Sequence, residues 1–175
     1  RLQHHKWIPS DKKHCRAWVW KIFDDHDGMF DPKNRNIVDA EPHFDFEIEE
    51  DWAKYSYELE DGTILEGNLA LKGTIDLITD VDDGVYEIID WKTGSRKCWN
   101  TGQVKDYGYL SSKDVQLRVY DLAMSIVYPE YKNRILTIHY INDGGPFSVV
   151  FDDQDRKETI NLLKSKINNI ENKIV

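Results

Sequence analysis

The chain has 175 residues, 40% of them hydrophobic and 31% charged, a size that supports one hydrophobic core and is short for two. A formal net charge of -9 disfavours nonspecific attraction to phosphate polymers. No apolar run reaches the length of a membrane span, and Cys15 and Cys98 alone give no disulfide framework.

These properties predict a single soluble, intracellular (cytoplasmic) domain over residues 1–175, with reduced thiols and no membrane partner. Arg1 in place of an initiator methionine marks the chain as a candidate trimmed fragment, although Leu2 reads as an ordered start.

In chain order, Ser10-Asp11 is a helix-capping pair. The helix it predicts carries Cys15, Trp18, Val19, Ile22 and Phe23 at helical spacing and stops at Asp27-Gly28. Residues 32–36 read as a polar loop. Phe44, Phe46 and Ile48 alternate with charged residues, and Tyr55, Tyr57 and Leu59 repeat the pattern before the Asp61-Gly62 turn, so both segments read as half-buried strands. Residues 71–79 and 85–91 are β-branched, apolar runs joined by an Asp-Gly turn centred on Asp83. Residues 93–112, with three glycines, several lysines and Trp99, Tyr107 and Tyr109, predict a mobile loop rather than a regular element.

A helix over 113–128 follows, with Val115, Val119, Leu122 and Ile126 on one stripe, Gln116 and Tyr120 on the adjoining face, and Pro129 at its end. Strands over 134–141 and 147–151 flank the turn 142–146. A last helix, capped by Asp152 or Asp153, presents Ile160, Leu163, Ile167, Ile170 and Ile174. This order predicts an α/β fold, a mixed central sheet flanked by helices.

The chemistry concentrates in Gly73-Thr74-Ile75-Asp76, Asp90-Trp91-Lys92-Thr93-Gly94 and Gln116-Leu117-Arg118-Val119-Tyr120. A turn centred on Asp83 sets Asp76 directly opposite Asp90, with Cβ atoms about 5 Å apart, and Lys92, two residues on, shares the face of Asp90. Like charges placed so need a cation between them. Mg2+ or Mn2+ suits two carboxylates, a backbone carbonyl such as that of Trp91, and water; water so activated attacks a phosphodiester while Lys92 orients it and stabilises the transition state. Lys92, Arg96, Lys97, Lys105, Lys113 and Arg118 are candidates for a local basic groove, with Lys12, Lys13 and Arg16 as a second cluster. Trp99, Tyr107 and Tyr109 could stack the bases of a single strand.

Over roughly residues 37–128 the order Gly-x-x-Asp, Asp-x-Lys-Thr-Gly, Gln-x-x-x-Tyr resembles the RecB-like branch of the PD-(D/E)xK nuclease superfamily, which includes the RecB and AddB nuclease domains and the CRISPR-adaptation exonucleases. The resemblance implies a restriction-endonuclease-like core, metal ligation by Asp76 and Asp90, catalysis by Lys92, and support from Gln116 and Tyr120. It also implies a further histidine ligand from an early helix, for which His4, His5, His14 and His26 are candidates and His14 is favoured. The four-cysteine iron-sulfur cluster of some members has too few cysteines here.

The expectation is therefore a Mg2+- or Mn2+-dependent deoxyribonuclease, an exonuclease or recombination-type nuclease of a bacterium or phage, acting on single- or double-stranded DNA with a helicase or recombination protein as partner. Two other classes stand beside it. One is a non-cleaving nuclease-fold module that binds DNA or scaffolds a repair assembly; the other is a plain binding domain with solvated carboxylates, which manganese titration separates.

Overall fold

A computed structural model describes the backbone of residues 8–82 and 84–174, and the side chains of these except at 113 and 171–174. The expectations for Leu2, His4, His5, Asp83 and the side chains of Lys113 and Ile174 fall outside the described residues.

Helix α1 (Pro9–Asp24) starts one residue before the expected Ser10-Asp11 cap, because Pro9 takes the first helical position and Ile8 the cap. None of its residues is buried, and Val19 and Trp20 are exposed. Its apolar stripe therefore does not face the core. Beyond it the chain turns through His26 and Asp27, both in the left-handed region, to Phe30, which is buried.

Where a polar loop was expected, a 3-10 turn at Pro32–Asn34 leads directly into an edge strand, β1 (Asn36–Ala40). A long antiparallel ribbon follows. Strand β2 (His43–Glu47) pairs with β5 (Ala70–Thr74), and β3 (Lys54–Glu58) pairs with β4 (Ile64–Asn68). The Leu69 carbonyl accepts from Ile48 N and the Leu69 amide donates to the Ala53 carbonyl, which joins the two ladders. Phe44, Phe46 and Ile48 are buried as their alternation predicts, whereas Tyr57 and Leu59, nearer the ribbon tip, are exposed.

The central sheet comprises β1, β6 (Leu77–Asp82), β7 (Val85–Lys92), β8 (Asn133–Tyr140) and β9 (Gly144–Val149), in that spatial order. β7 and β8 run parallel and the remaining pairs antiparallel, so the sheet is mixed. A parallel pair needs a crossover, supplied here by α2 (Tyr107–Lys113) and α3 (Val115–Val127).

The Asp114 carboxylate caps α3 by accepting from Leu117 N at 3.1 Å, and Leu117, Tyr120, Ala123 and Met124 are buried against the sheet. Asp121 fixes the same helix from behind, through Arg134 Nε of β8 at 3.1 Å and Arg156 Nη1 of α4 (Asp153–Ile174) at 2.7 Å. Leu163 and Ile160 of α4 pack on the core, while Ile170 is exposed, so the last helix outruns the sheet it was expected to cover.

The two faces of the sheet follow from strand alternation. Ile88, Asp90 and Lys92 of β7, level with Leu136, Ile138 and Tyr140 of β8, face α3. Glu87, Ile89 and Trp91, with Thr137 and His139, face Phe30 and Arg35.

Candidate active site

The register between β6 and β7 pairs Leu77 with Ile89 and Ile78 with Ile88, which puts Asp76 level with Asp90, as the turn arithmetic expects. Residues 71–79 are nevertheless not one strand. The ladder of β5 ends at Thr74, that of β6 begins at Leu77, and Ile75 and Asp76 form the kink between them. At the kink the Ile75 amide donates to the Pro42 carbonyl and the Asp76 carbonyl accepts from Glu41 N. The Asp76 side chain then replaces the ladder, with Oδ2 accepting from Trp91 N at 2.7 Å. Backbone N–H and C=O of one residue address the same neighbour in an antiparallel pair, so the Trp91 carbonyl also faces the position that β6 has vacated.

Asp90 is 2% exposed. Its Oδ1 accepts from Gln116 Nε2 at 2.8 Å, and the Tyr120 hydroxyl lies 3.4 Å away. Gln116 Nε2 also donates to the Tyr120 hydroxyl at 2.7 Å, and that hydroxyl donates to the Thr74 carbonyl at 3.0 Å. Successive turns of α3 thus tie Asp90 to the strand end that leads into Asp76.

Lys92 Nζ lies 2.6 Å from Asp90 Oδ2 and forms the ion pair of this buried oxygen. Burial pushes the Asp90 carboxyl above the usual carboxylate range; Lys92 opposes that rise, and the charges of Asp76 and Asp114 add to it. The Tyr120 phenol is pushed up to about 12, chiefly by burial, and remains neutral. A buried carboxylate, a second carboxylate and a backbone carbonyl form an all-oxygen set that fits a hard divalent cation.

Gly73 explains itself at this site. A side chain there would start 2.4 Å from Phe44 Cζ, and the Phe44 ring in turn stands edge-on to Tyr120 at 6.1 Å between centroids. The bare α-carbon lets Phe44 lie across β5 and prop the tyrosine.

The structure thus brings Asp76, Asp90, Lys92, Gln116, Tyr120 and the Trp91 backbone together. It does not do so for His14, which is exposed on α1 and joins no cluster of three candidate ligand atoms among the described residues. Arg118 is not a groove residue, because it is buried between Asp155, at 3.3 Å, and Glu158, at 4.0 Å, over the Phe151 ring. Lys105 sits 3.9 Å from buried Asp114, and Arg96 lies over the Phe147 ring.

Residues 93–112 are also more regular than expected. A bridge pairs Lys97 with Val104, the Cys98 amide donates to the Gln103 carbonyl, and α2 follows. Ser95 Oγ at 2.8 Å and Arg96 N at 2.7 Å both donate to Asp143 Oδ2, which anchors this finger to the β8–β9 turn. Trp99 stands at its tip, 98% exposed. One neighbour of the site escaped the sequence reading: Tyr140, level with Lys92, whose buried hydroxyl has no partner among the described residues and whose phenol burial pushes up to about 12. Its only sequence signal is strand alternation with Ile138.

A mixed sheet crossed by two helices on the site face, with two acids and a lysine at a strand break, defines the restriction-endonuclease-like α/β class. The model of the PD-(D/E)XK nuclease superfamily matches residues 2–173, and the chain belongs to that superfamily. A search of the curated proteins found no match. No described helix is long and apolar enough to cross a membrane.

Proposed function

We propose that the chain is a Mg2+- or Mn2+-dependent deoxyribonuclease of the RecB-like branch, an exonuclease whose residues 1–175 act as one nuclease domain in recombination or repair. The observation that carries this reading is the convergence of buried Asp90, paired with Lys92 at 2.6 Å, and Asp76, level with it at the strand break with its carboxylate on the Trp91 amide.

Asp76, Asp90 and the Trp91 carbonyl would hold the cation. When bound, it supplies charge neutralisation at the phosphoryl oxygens and acidifies water. Gln116 occupies Asp90 Oδ1 and so reserves Oδ2 for the ion. Tyr120, bonded to the Thr74 carbonyl, keeps the kink that presents Asp76 in place. The Lys92 ammonium orients the attacking water and stabilises the charge that develops on the phosphate. Trp99 offers an open ring on which a base of a single strand can stack.

A non-cleaving, DNA-binding module is the rival. It is favoured by the net charge of -9 and by the internal pairing of Arg118, which leave DNA affinity to be supplied by a helicase or recombination partner. End-labelled single- and double-stranded DNA, incubated with and without Mn2+ beside Lys92→Ala, separates the two. Metal-dependent shortening lost in the variant is expected; DNA retention without cutting supports the rival, and equal cutting by the variant overturns the mechanism.

A further inference from the structure

We propose that Asp25, His26 and His139 form a second metal site, selective for a borderline divalent ion of the zinc class, on the sheet face opposite Asp90 and Lys92. One ligand atom from each of the three lies within 4.8 Å of the other two. His139 is level with Trp91 on the neighbouring strand, so its ring projects to the other side of the sheet from Asp90.

The His139 ring packs against Phe30 at 5.1 Å and Trp91 at 5.5 Å between centroids, and the His26 ring stands 5.4 Å away. An imidazole held in such surroundings would be expected to bond through its nitrogens. Instead His139, 2% exposed, has a buried Nδ1 with no hydrogen-bond partner among the described residues. One of the two ring nitrogens of His139 is the atom that lies within the cluster.

Two imidazoles and one carboxylate form a nitrogen-rich set that suits zinc and its first-row neighbours, whereas Mg2+ prefers oxygen throughout. Ligand atoms around a tetrahedral zinc ion lie about 3.5 Å apart, so the three groups would need to close by roughly an ångström. His26 is the exposed member of the three and would have to move. Burial, with His26 beside it, holds the His139 imidazole below the ordinary histidine range, in the neutral form that metals bind; Lys21 acts in the same direction and Asp25 opposes it.

The site would do mechanical work. Helix α1 buries no residue of its own, and Asp25 and His26 directly follow it, so an ion shared with His139 would pin the end of that helix to the core strand β8. Binding to the native state alone raises stability.

The test strips the 175-residue chain of metal and titrates Zn2+ against a chromophoric chelator, with thermal melting in parallel, for wild type, His26→Gln, His139→Asn and Asp76→Asn/Asp90→Asn. His139 is in the core and its variant can fail to fold; His26 is exposed, and its variant carries the decision. The expected result is a zinc-dependent rise in melting temperature that Mg2+ does not reproduce once Asp76 and Asp90 are replaced. It should be lost in His26→Gln together with about tenfold or more in zinc affinity, and retained in the Asp76/Asp90 variant. Wild-type zinc affinity in His26→Gln, or loss of zinc binding in the Asp76/Asp90 variant, overturns the proposal.

Discussion

The two faces of the central sheet treat buried charge in opposite ways. On the face away from α3, Glu87 is matched: Arg35 Nη1 donates to it, the Thr137 hydroxyl donates at 2.5 Å, and Arg35 also reaches Thr79 at 3.1 Å. On the α3 face, Asp90 is as deeply buried and pairs with the less buried Lys92 at 2.6 Å, yet burial, with the charges of Asp76 and Asp114 added, outweighs Lys92 and penalises its charged form. A matched buried ion pair holds a fold together only as long as both partners remain. A pair whose cation does not outweigh burial keeps a place for a ligand at the expense of stability. The first face should therefore answer to unfolding experiments and the second to activity.

The sharpest separation comes from the site itself. Asp76→Ala or Asp90→Ala should abolish both cleavage and the binding of Mn2+ at this site. Lys92→Ala should leave metal affinity largely intact and lower the cleavage rate by about 10²–10³-fold or more, the scale on which removing one electrostatic stabiliser acts. Single-turnover cleavage beside Mn2+ titration reads both quantities, and a Lys92 variant that cuts at the wild-type rate breaks the comparison.

Next in size is Arg35→Met, which leaves Glu87 buried without its cation and should cost about 3–5 kcal/mol in urea unfolding. Cleavage per folded molecule should not change; a rate loss without a stability loss would place Arg35 on the wrong side of the argument.

Gly73→Ala is smaller and touches both properties. Its new methyl must displace Phe44, an overpacking cost of about 1–3 kcal/mol, and because Phe44 props Tyr120 the cleavage rate should fall as well. A second change, Phe44→Leu, should recover part of both if the clash is the cause.

The smallest effect is the pH response of Asp90. Its folded pKa is raised above the unfolded value, so in the window above about 4 the native state holds more protons than the unfolded one, and metal-free stability falls as pH rises through it. Asp90→Asn should flatten that slope in chelator-treated protein. The same proton competes with the cation, so Mn2+ affinity should weaken on acidification earlier than an ordinary carboxylate would allow.

The acids and the lysine were legible in the sequence because their relation is local: one short turn sets the hairpin register, and alternation puts Lys92 on the face of Asp90. Gln116 and Tyr120 were legible for a similar reason, being one helical turn apart beside an apolar stripe. The kink at Asp76 was not, because a β-branched run carries no mark of where a strand exchanges one partner for another. Glycines and lysines disguised the finger at residues 96–105, whose order depends on distant Asp143. Arg118 looked like a groove residue because its partners lie on α4, far along the chain. The stripe on α1 suggested burial, but helical spacing says only which residues share a side and nothing about whether another element arrives to cover it.

The β7–α3–β8 crossover has a consequence for timing. Asp90 is dried and oriented only when α3 lies over it, and α3 is positioned by Asp121 through Arg134 of β8 and Arg156 of α4. A chain emerging from the ribosome thus carries both acids long before it can hold them in a cutting arrangement. On the proposed nuclease reading, competence therefore waits for α4, and a chain cut short before that helix should not cleave.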